Sequence, residues 1–335
     1  MVEVQRHLHW DADALWQRLL PLLPGLSVEV LARTDSTNTR LLERARGAAL
    51  WAQAPVTRPG GLDSRLGALD GGGPETRPGS LEARPAADAP AHGRRAGDTE
   101  PCLLVAEHQT RGRGRMGRDW QATPGASLTF SLALPLAPAD WSGLSLAVGL
   151  ALAEALDPAG APGGGGQPSI LLKWPNDLWL RDAAAPGGGR KLGGVLVETV
   201  SVGGQREAVI GVGINVAPQS VGDPATLAHG LAHLQELRPG VQPPQVLHAL
   251  AEPLAREVLR FEREGFAPRA AAYAARDLLR GQAVSCTPPG PAQARALGVD
   301  ADGALLLAVP LPGGGEAEQR LISGEVSVRP QAGAA

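Results

Sequence analysis

Two lysines, Lys173 and Lys191, stand against twenty-nine arginines in this chain, and three asparagines, Asn38, Asn176 and Asn215, are all that its 335 residues contain. A sequence that uses Arg for Lys almost everywhere keeps lysine where a compact ammonium is needed in place of a planar fork. Asparagine offers a donor and an acceptor side by side, which suits reading a polar edge. All five fall in short motif blocks. In Lys173-Trp174-Pro175-Asn176-Asp177, Pro175 fixes a turn, Asn176 can read a polar edge, and Asp177 can accept a proton or bond an amine. Lys191-Leu192-Gly193-Gly194 and Gly211-Val212-Gly213-Ile214-Asn215 pair a polar side chain with glycines that permit close approach.

A sixth feature is the run Gly112-Arg113-Gly114-Arg115-Met116-Gly117-Arg118. Its letters match the dinucleotide pattern G-x-G-x-x-G, but that turn must open a helix and be followed by a distant acidic residue. Here Trp120, Pro124, Gly125 and a strand-like stretch follow instead. Arginines on a flexible glycine backbone suit a cationic lid closing on a small anion such as a nucleotide phosphate, and Trp120 can stack on a base. Taken alone, the run also fits an RG-rich loop that binds nucleic acid. Thr34-Asp35-Ser36-Thr37-Asn38 adds hydroxyls and an amide at a helix N-terminus, where the backbone dipole is positive.

The elements that must hold these blocks alternate between α and β. Ser36 can cap a helix through Leu41, Leu42 and Ala45. Strands are expected at Cys102 to Glu107, Ser127 to Leu134, Ile170 to Trp174, Gly194 to Val200 and Ala208 to Ile214. Leu144 to Leu156 reads as a helix, Leu247, Leu250, Leu254, Val258 and Phe261 share a helical face, and a last helix covers Ala270 to Leu279. After Arg280 short strands follow at Ala283 to Cys286, Ala304 to Val309, Arg320 to Ile322 and Glu325 to Val328. Residues 52–100 hold no Ile, Phe, Tyr, Trp, Met or Cys and read as a disordered insertion. Asp157 to Pro168 and Ala183 to Gly189 read as shorter solvated loops of the same kind. The expected division is therefore a catalytic domain over 1–280 and a small β-barrel over 281–335.

Composition narrows the class of function. A formal charge of −3 argues against a generally nucleic-acid-binding surface. Cys102 and Cys286 lie far apart without zinc or redox spacing, which favours a reducing compartment. The N-terminus has charges before any apolar stretch, and the apolar helix falls short of the ~20 residues that span a bilayer. A cytoplasmic location with no membrane anchor is the expectation.

In their order, T-D-S-T-N, G-R-G-R-x-G-R-x-W, K-W-P-N-D, K-L-G-G-V-L-V-E and G-V-G-I-N resemble the blocks of the biotin protein ligases, as does Ser323-Gly324-Glu325-Val326-Ser327 near the C-terminus. The resemblance implies an α+β fold: a mixed β-sheet with flanking helices, related to class II aminoacyl-tRNA synthetases and lipoate ligases, then a small C-terminal β-barrel. It implies a two-step reaction. Biotin and ATP, with Mg2+ accompanying the nucleotide, give biotinyl-AMP; a lysine of the biotin carboxyl carrier domain of acetyl-CoA carboxylase or a related carboxylase then takes the biotin.

By matching motif, Ser36, Thr37, Asn38, Gln109, Arg113, Gly114, Arg115, Lys191 and Gly194 are expected at biotin. Arg115, Arg118, Trp120, Asn176, Lys191 and Asn215 are expected at ATP. Lys191, Arg115, Asp177 and Lys173 are the expected catalytic group, with Asp177 the partner of the incoming amine; no metal ligand is assigned. Met116 and Asp119 depart from the family pattern by making the lid less cationic. About thirty residues precede the first block, so the monofunctional type without the N-terminal DNA-binding domain is expected, with no DNA binding. A homodimer is allowed. The rival readings are a lipoate or octanoate ligase and an RG-loop nucleic-acid-binding protein.

Overall fold

The computed structural model describes residues 8–53, 99–160, 166–219, 230–322 and 328–330. Residues 54–98 of the expected insertion lie outside these, as does the 323–327 block that resembles the family's C-terminal end.

A seven-stranded mixed sheet forms the body, in the order β1-β2-β5-β9-β8-β7-β6. Its strands are β1 (Ser27–Leu31), β2 (Cys102–Ala106), β5 (Ser127–Pro135), β6 (Ile170–Lys173), β7 (Asp177–Arg181), β8 (Gly189–Val202) and β9 (Gln205–Asn215). Only β1 and β2 pair in parallel; the remaining pairs are antiparallel. A second, two-stranded ribbon joins β3 (Gly112–Arg113) to β4 (Asp119–Trp120). The α+β expectation therefore holds.

Strand alternation assigns each residue of β5 to one of two faces. Leu128, Phe130, Leu132 and Leu134 point to one side and join the main core with α3 (Leu144–Leu156) and α4 (Pro243–Glu264). Ser127, Thr129 and Ser131 point to the other and are also buried. On that second face α2 (Thr37–Gln53) packs Leu41 and Leu42 against Cys102, Leu104, Ala133 and Val209. Polar side chains buried beside the start of α2 are the first structural sign of a site. The remaining body helix before the sheet, α1 (Ala12–Leu19), buries Leu15 and Leu19 in the main core.

Two expectations change. The helix expected over Ala270 to Leu279 is the short α5 (Ala270–Ala274). The chain leaves it because the fully buried Arg276 turns inward, donating from Nη1 to Asp157 Oδ2 at 2.9 Å and to Ile170 O at 2.8 Å. Leu278 N then donates to Leu172 O, so residues 276–278 cover the exposed edge of β6. The stretch from Asp157 is accordingly not simply a solvated loop. Asp157 is buried, receives Ser169 N and Ile170 N as well as Arg276, and begins a 3-10 turn at Pro158–Gly160.

The C-terminal strands are β10 (Ala283–Cys286), β11 (Ala294–Val299), β12 (Leu305–Pro310), β13 (Glu316–Leu321) and β14 (Val328–Pro330). They form an antiparallel sheet in the order β13-β12-β11-β10-β14, with no ladder between β13 and β14 among the described residues. Among the described residues the expected small barrel is this antiparallel sheet. Its apolar side belongs to the same packed cluster as the body, through Val284, Ala296, Leu305 and Leu307. Trp174 Nε1 donates to Gly303 O across that junction at 3.0 Å.

Candidate active site

The N-terminus of α2, the β3/β4 ribbon and the sheet face opposite α3 enclose a cleft with about 750 Å³ of open space. Its floor follows from register. Ser131 pairs with Gly211, which pairs with Leu196; one row further, Thr129 pairs with Gly213, which pairs with Gly194. Gly211 and Gly213 are required by what lies on them: a Cβ at Gly211 would run into the Asn38 carboxamide, and one at Gly213 into the indole of Trp120. The glycines of β9 therefore set how deep the cleft can be.

One end of the cleft is a closed polar network. Ser36 precedes α2 and accepts from Thr39 N at 3.4 Å, as an N-cap does. Gln109 Oε1 accepts from Thr37 N at 2.7 Å, and the Thr37 hydroxyl lies 3.1 Å from the same oxygen. The Thr37 and Ser131 hydroxyl oxygens are 2.6 Å apart, and Ser131 Oγ donates to Asn38 Oδ1 at 2.6 Å. All of these side chains are buried. Such a group costs free energy unless its partners, ligand included, are complementary.

The other end is cationic. Asp177 sits between the two lysines, with Lys191 Nζ 2.8 Å from one oxygen and Lys173 Nζ 4.0 Å from the other. Antiparallel pairing of β6 with β7 puts Lys173 opposite Asp177 across the turn that holds Trp174, Pro175 and Asn176. Burial pushes Lys173 down to about 8, against the opposing pull of Asp177. Burial also acts to raise Asp177, but Lys191 and Lys173 together hold its carboxyl below the usual range. Asp177 is an anion throughout the neutral range.

The ribbon brings its arginines to this end. Arg115 Nη1 donates to Asn176 Oδ1 at 3.3 Å, while Asn176 Nδ2 donates to Val195 O at 2.7 Å. Burial lowers Arg115 below its ordinary value; Asp177 opposes that shift and Arg118 adds to it. The ammonium of Lys191 lies 5.6 Å from the centre of the Trp120 ring, which rests on Gly213. Between the two ends, Leu196 and the bare backbone of Gly194, Gly211 and Gly213 leave an apolar middle. The whole arrangement suits a ligand with a polar head, an aliphatic middle and an anionic tail.

Comparison with known proteins gives the family and the fold. The model of the biotin/lipoate A/B protein ligase family matches residues 96–215. Over 214 residues the chain is 35% identical to the biotin acetyl-CoA-carboxylase ligase of Mycobacterium tuberculosis, covering 61% of this chain and 71% of that protein. The chain belongs to the biotin/lipoate protein ligase family. It is also 38% identical over 167 residues to the bifunctional ligase/repressor BirA of Escherichia coli, covering 49% of this chain and 48% of BirA. It thus spans about half the length of that relative. In fold it is similar to the biotin protein ligase from Aquifex aeolicus solved in complex with biotin and ATP. The TM-score is 0.58 at 22% identity, with 91% of this chain and 99% of that chain covered.

In this family member most residues marked from sequence meet at one cleft: Ser36, Thr37, Asn38, Gln109, Arg113, Gly114, Arg115, Arg118, Trp120, Asn176, Asp177, Lys191 and Gly194 all line it. Lys173 and Asn215 do not. Lys173 lies behind Asp177, beside Leu172, Pro175 and Tyr273. Asn215 borders a separate shallow depression with Ala232 and His233. Its Nδ2 donates to Lys191 O at 3.3 Å and Ala232 O at 3.1 Å, and its Oδ1 accepts from Gln219.

Two participants escaped sequence reasoning. Ser131 was readable as one of three polar residues at period two in an otherwise apolar strand. Glu198 ends the K-L-G-G-V-L-V-E block, but nothing in the letters shows that it reaches Arg113 and Asn38.

Proposed function

We propose that this chain is an ATP-dependent biotin protein ligase that makes biotinyl-5'-AMP and passes the biotin to a lysine of a biotin carboxyl carrier domain. The observation that carries the reading is the pairing, in one cleft, of a buried hydrogen-bonding end with a cationic end joined by an apolar middle. The ureido ring of biotin would meet Ser36, Thr37, Asn38 and Gln109, with the Arg113-Gly114-Arg115 segment over it. Its valeryl chain would cross the glycine floor.

In the first step a carboxylate oxygen of biotin attacks the α-phosphorus of ATP, and the bond to pyrophosphate breaks. Lys191, Arg115 and Arg118 would face the negative charge that gathers on the α-phosphate, which is where fixed cations lower a barrier most. Trp120 and Asn176 would border the nucleotide, and Asn215 would support Lys191 from behind through its backbone carbonyl. In the second step the carrier amine attacks the activated carbonyl and AMP leaves. Asp177, an anion already oriented by two lysines, would hold the incoming amine by its charge, and the proton that the amine loses on attack would pass to water; Lys173 orients Asp177.

Asp177 and Asp119 are carboxylates of the cleft, and no group of three metal-ligating side chains converges among the described residues. The described residues offer no all-protein cage, so the Mg2+ expected with ATP would be held by phosphate oxygens and water. No step above is routed through it.

A lipoate or octanoate ligase is the nearer rival. Thr37, Asn38, Gln109 and Ser131 favour biotin over both, because a ureido ring can exchange hydrogen bonds with this polar end and a dithiolane or alkyl end cannot. The RG-loop reading fits less well, since Arg113 and Arg115 are turned onto Glu198 and Asn176. Among the described residues no helix is long and apolar enough to cross a membrane. We place the activity in the cytoplasm, with a biotin-dependent carboxylase as partner. Exchange of labelled pyrophosphate into ATP tests the reading: it should require biotin. Exchange supported by lipoate or octanoate and not by biotin would replace it.

A further inference from the structure

Glu198 places a carboxylate where three elements meet. On β8 it follows Gly194 and Leu196 at period two, so it continues the strand face that lines the cleft. Its Oε1 accepts from Arg113 Nη2 at 2.9 Å, and its Oε2 accepts from Arg113 Nη1 at 3.2 Å. The same Oε2 accepts from Asn38 Nδ2 at 3.1 Å. Arg113 belongs to the β3/β4 ribbon and Asn38 to the first turn of α2. One side chain of the sheet therefore fastens the lid to the polar end of the cleft.

The contact also decides which way the Asn38 amide faces. Its nitrogen is committed to Glu198 and to Leu196 O, and its oxygen to Ser131 Oγ. Gly211 leaves no room behind it. A ligand therefore meets Asn38 with its orientation already fixed, and meets the backbone of Arg113 and Gly114 at a fixed height above it. The fork-to-fork geometry of Arg113 and Glu198 is what a lysine or a neutral side chain would not reproduce.

We propose that Glu198 is a positioning residue: it latches the glycine-rich ribbon to the ring-binding end of the cleft and so sets biotin affinity without taking part in either chemical step. The affinity part rests on the ligase reading; the latch itself does not. The Arg113 side chain is 46% exposed and that of Glu198 23%, so the pair adds little to the stability of the fold. A change at Glu198 should therefore act on the ribbon and leave the core intact.

The test uses the full chain as wild type, Glu198→Gln, Arg113→Gln and the double variant. Without ligand, amide exchange across residues 112–120 should quicken by about tenfold in Glu198→Gln, with no change in the core strands. The KM for biotin in pyrophosphate exchange should rise by about fivefold to twentyfold while kcat at saturating biotin stays within about twofold. The double variant should be no worse than the worse single, as expected for two partners of one interaction. Unchanged ribbon exchange, an unchanged KM, a loss confined to kcat, or additive losses would each overturn the proposal. A wild-type chain that takes up no biotin would instead overturn the proposed function together with the affinity claim, and ribbon exchange would still decide the latch.

Discussion

Asp177 faces three cations: it holds Lys191 at 2.8 Å, lies 4.0 Å from Lys173, and feels Arg118 as well. Three cations around one anion leave the site net positive, which is the condition for gathering a triphosphate and a carboxylate together. The arginine that lies over this group has a job beyond charge, since Arg115 also bonds Asn176 and so closes the cationic end. Arg115→Gly should loosen that end and let biotinyl-AMP escape. The expected outcome is biotin on bystander lysines, read by mass spectrometry of an added unrelated protein; bystander labelling equal to the wild type would count against the role.

Lys173 gives a second residue-scale prediction. Its pKa is about 8 in the fold, lowered by burial, against about 10.4 in an unfolded chain. Between those values the unfolded state binds the extra proton, so stability must rise with pH from about 8 to 10.4, by about 3 kcal/mol at most. Below pH 8 both states are protonated and the cost of the buried charge is fully present. Denaturant unfolding of Lys173→Met across that range should lack this rise; an identical slope would show that Lys173 is not the group responsible.

At the scale of elements, the cleft is a consequence of strand register more than of any loop. The rows Ser131, Gly211, Leu196 and Thr129, Gly213, Gly194 put small or polar residues together on the one sheet face that α2 leaves partly open. Gly213→Ala should push Trp120 off the floor, because the added Cβ would overlap the indole. We expect a loss of adenylation of about tenfold or more with unfolding behaviour close to wild type. Full activity would mean that Trp120 has a second resting place.

Periodicity also explains what could be read in advance. Leu144–Leu156 and the strands of residues 127–135 and 205–215 carry long apolar patterns and were legible to within a few residues. The ribbon of β3 and β4 was not, because two-residue strands have no period to detect. β7 starts on the last residue of the K-W-P-N-D block and is only five residues long, and β1 is a half-buried edge strand whose residues are all of intermediate exposure. The early end of α5 depended on Arg276 finding Asp157, a contact between residues 119 apart. Most of the cleft was legible for a different reason: scarce residue types marked it. Ser131 and Glu198 are common types in ordinary positions, and only tertiary pairing reveals what they hold.

At the scale of the whole molecule, the C-terminal sheet supports the back of the site. Trp174 is fully buried between the K-W-P-N-D turn and Gly303, so a side chain next to Lys173 is gripped by the second sheet. Gly303 has φ +81°, and a Cβ there would come within 2.8 Å of the Gly143 Cα at the start of α3. Gly303→Ala should therefore destabilise the chain by about 2 kcal/mol or more, through both backbone strain and the forced separation of the two sheets. Thermal unfolding checks it, and an unchanged midpoint would mean that the junction is looser than the contact implies.

The central claim is that the cleft joins biotin to a carrier lysine at the expense of ATP, with Lys191 at the reacting phosphate. Mass spectrometry of a purified biotin carboxyl carrier domain, incubated with this chain, biotin, ATP and Mg2+, tests it most directly. The account predicts the gain of one biotin, dependent on ATP and lost with Lys191→Ala. A carrier domain left unmodified here, yet modified normally by an established biotin ligase, would contradict it.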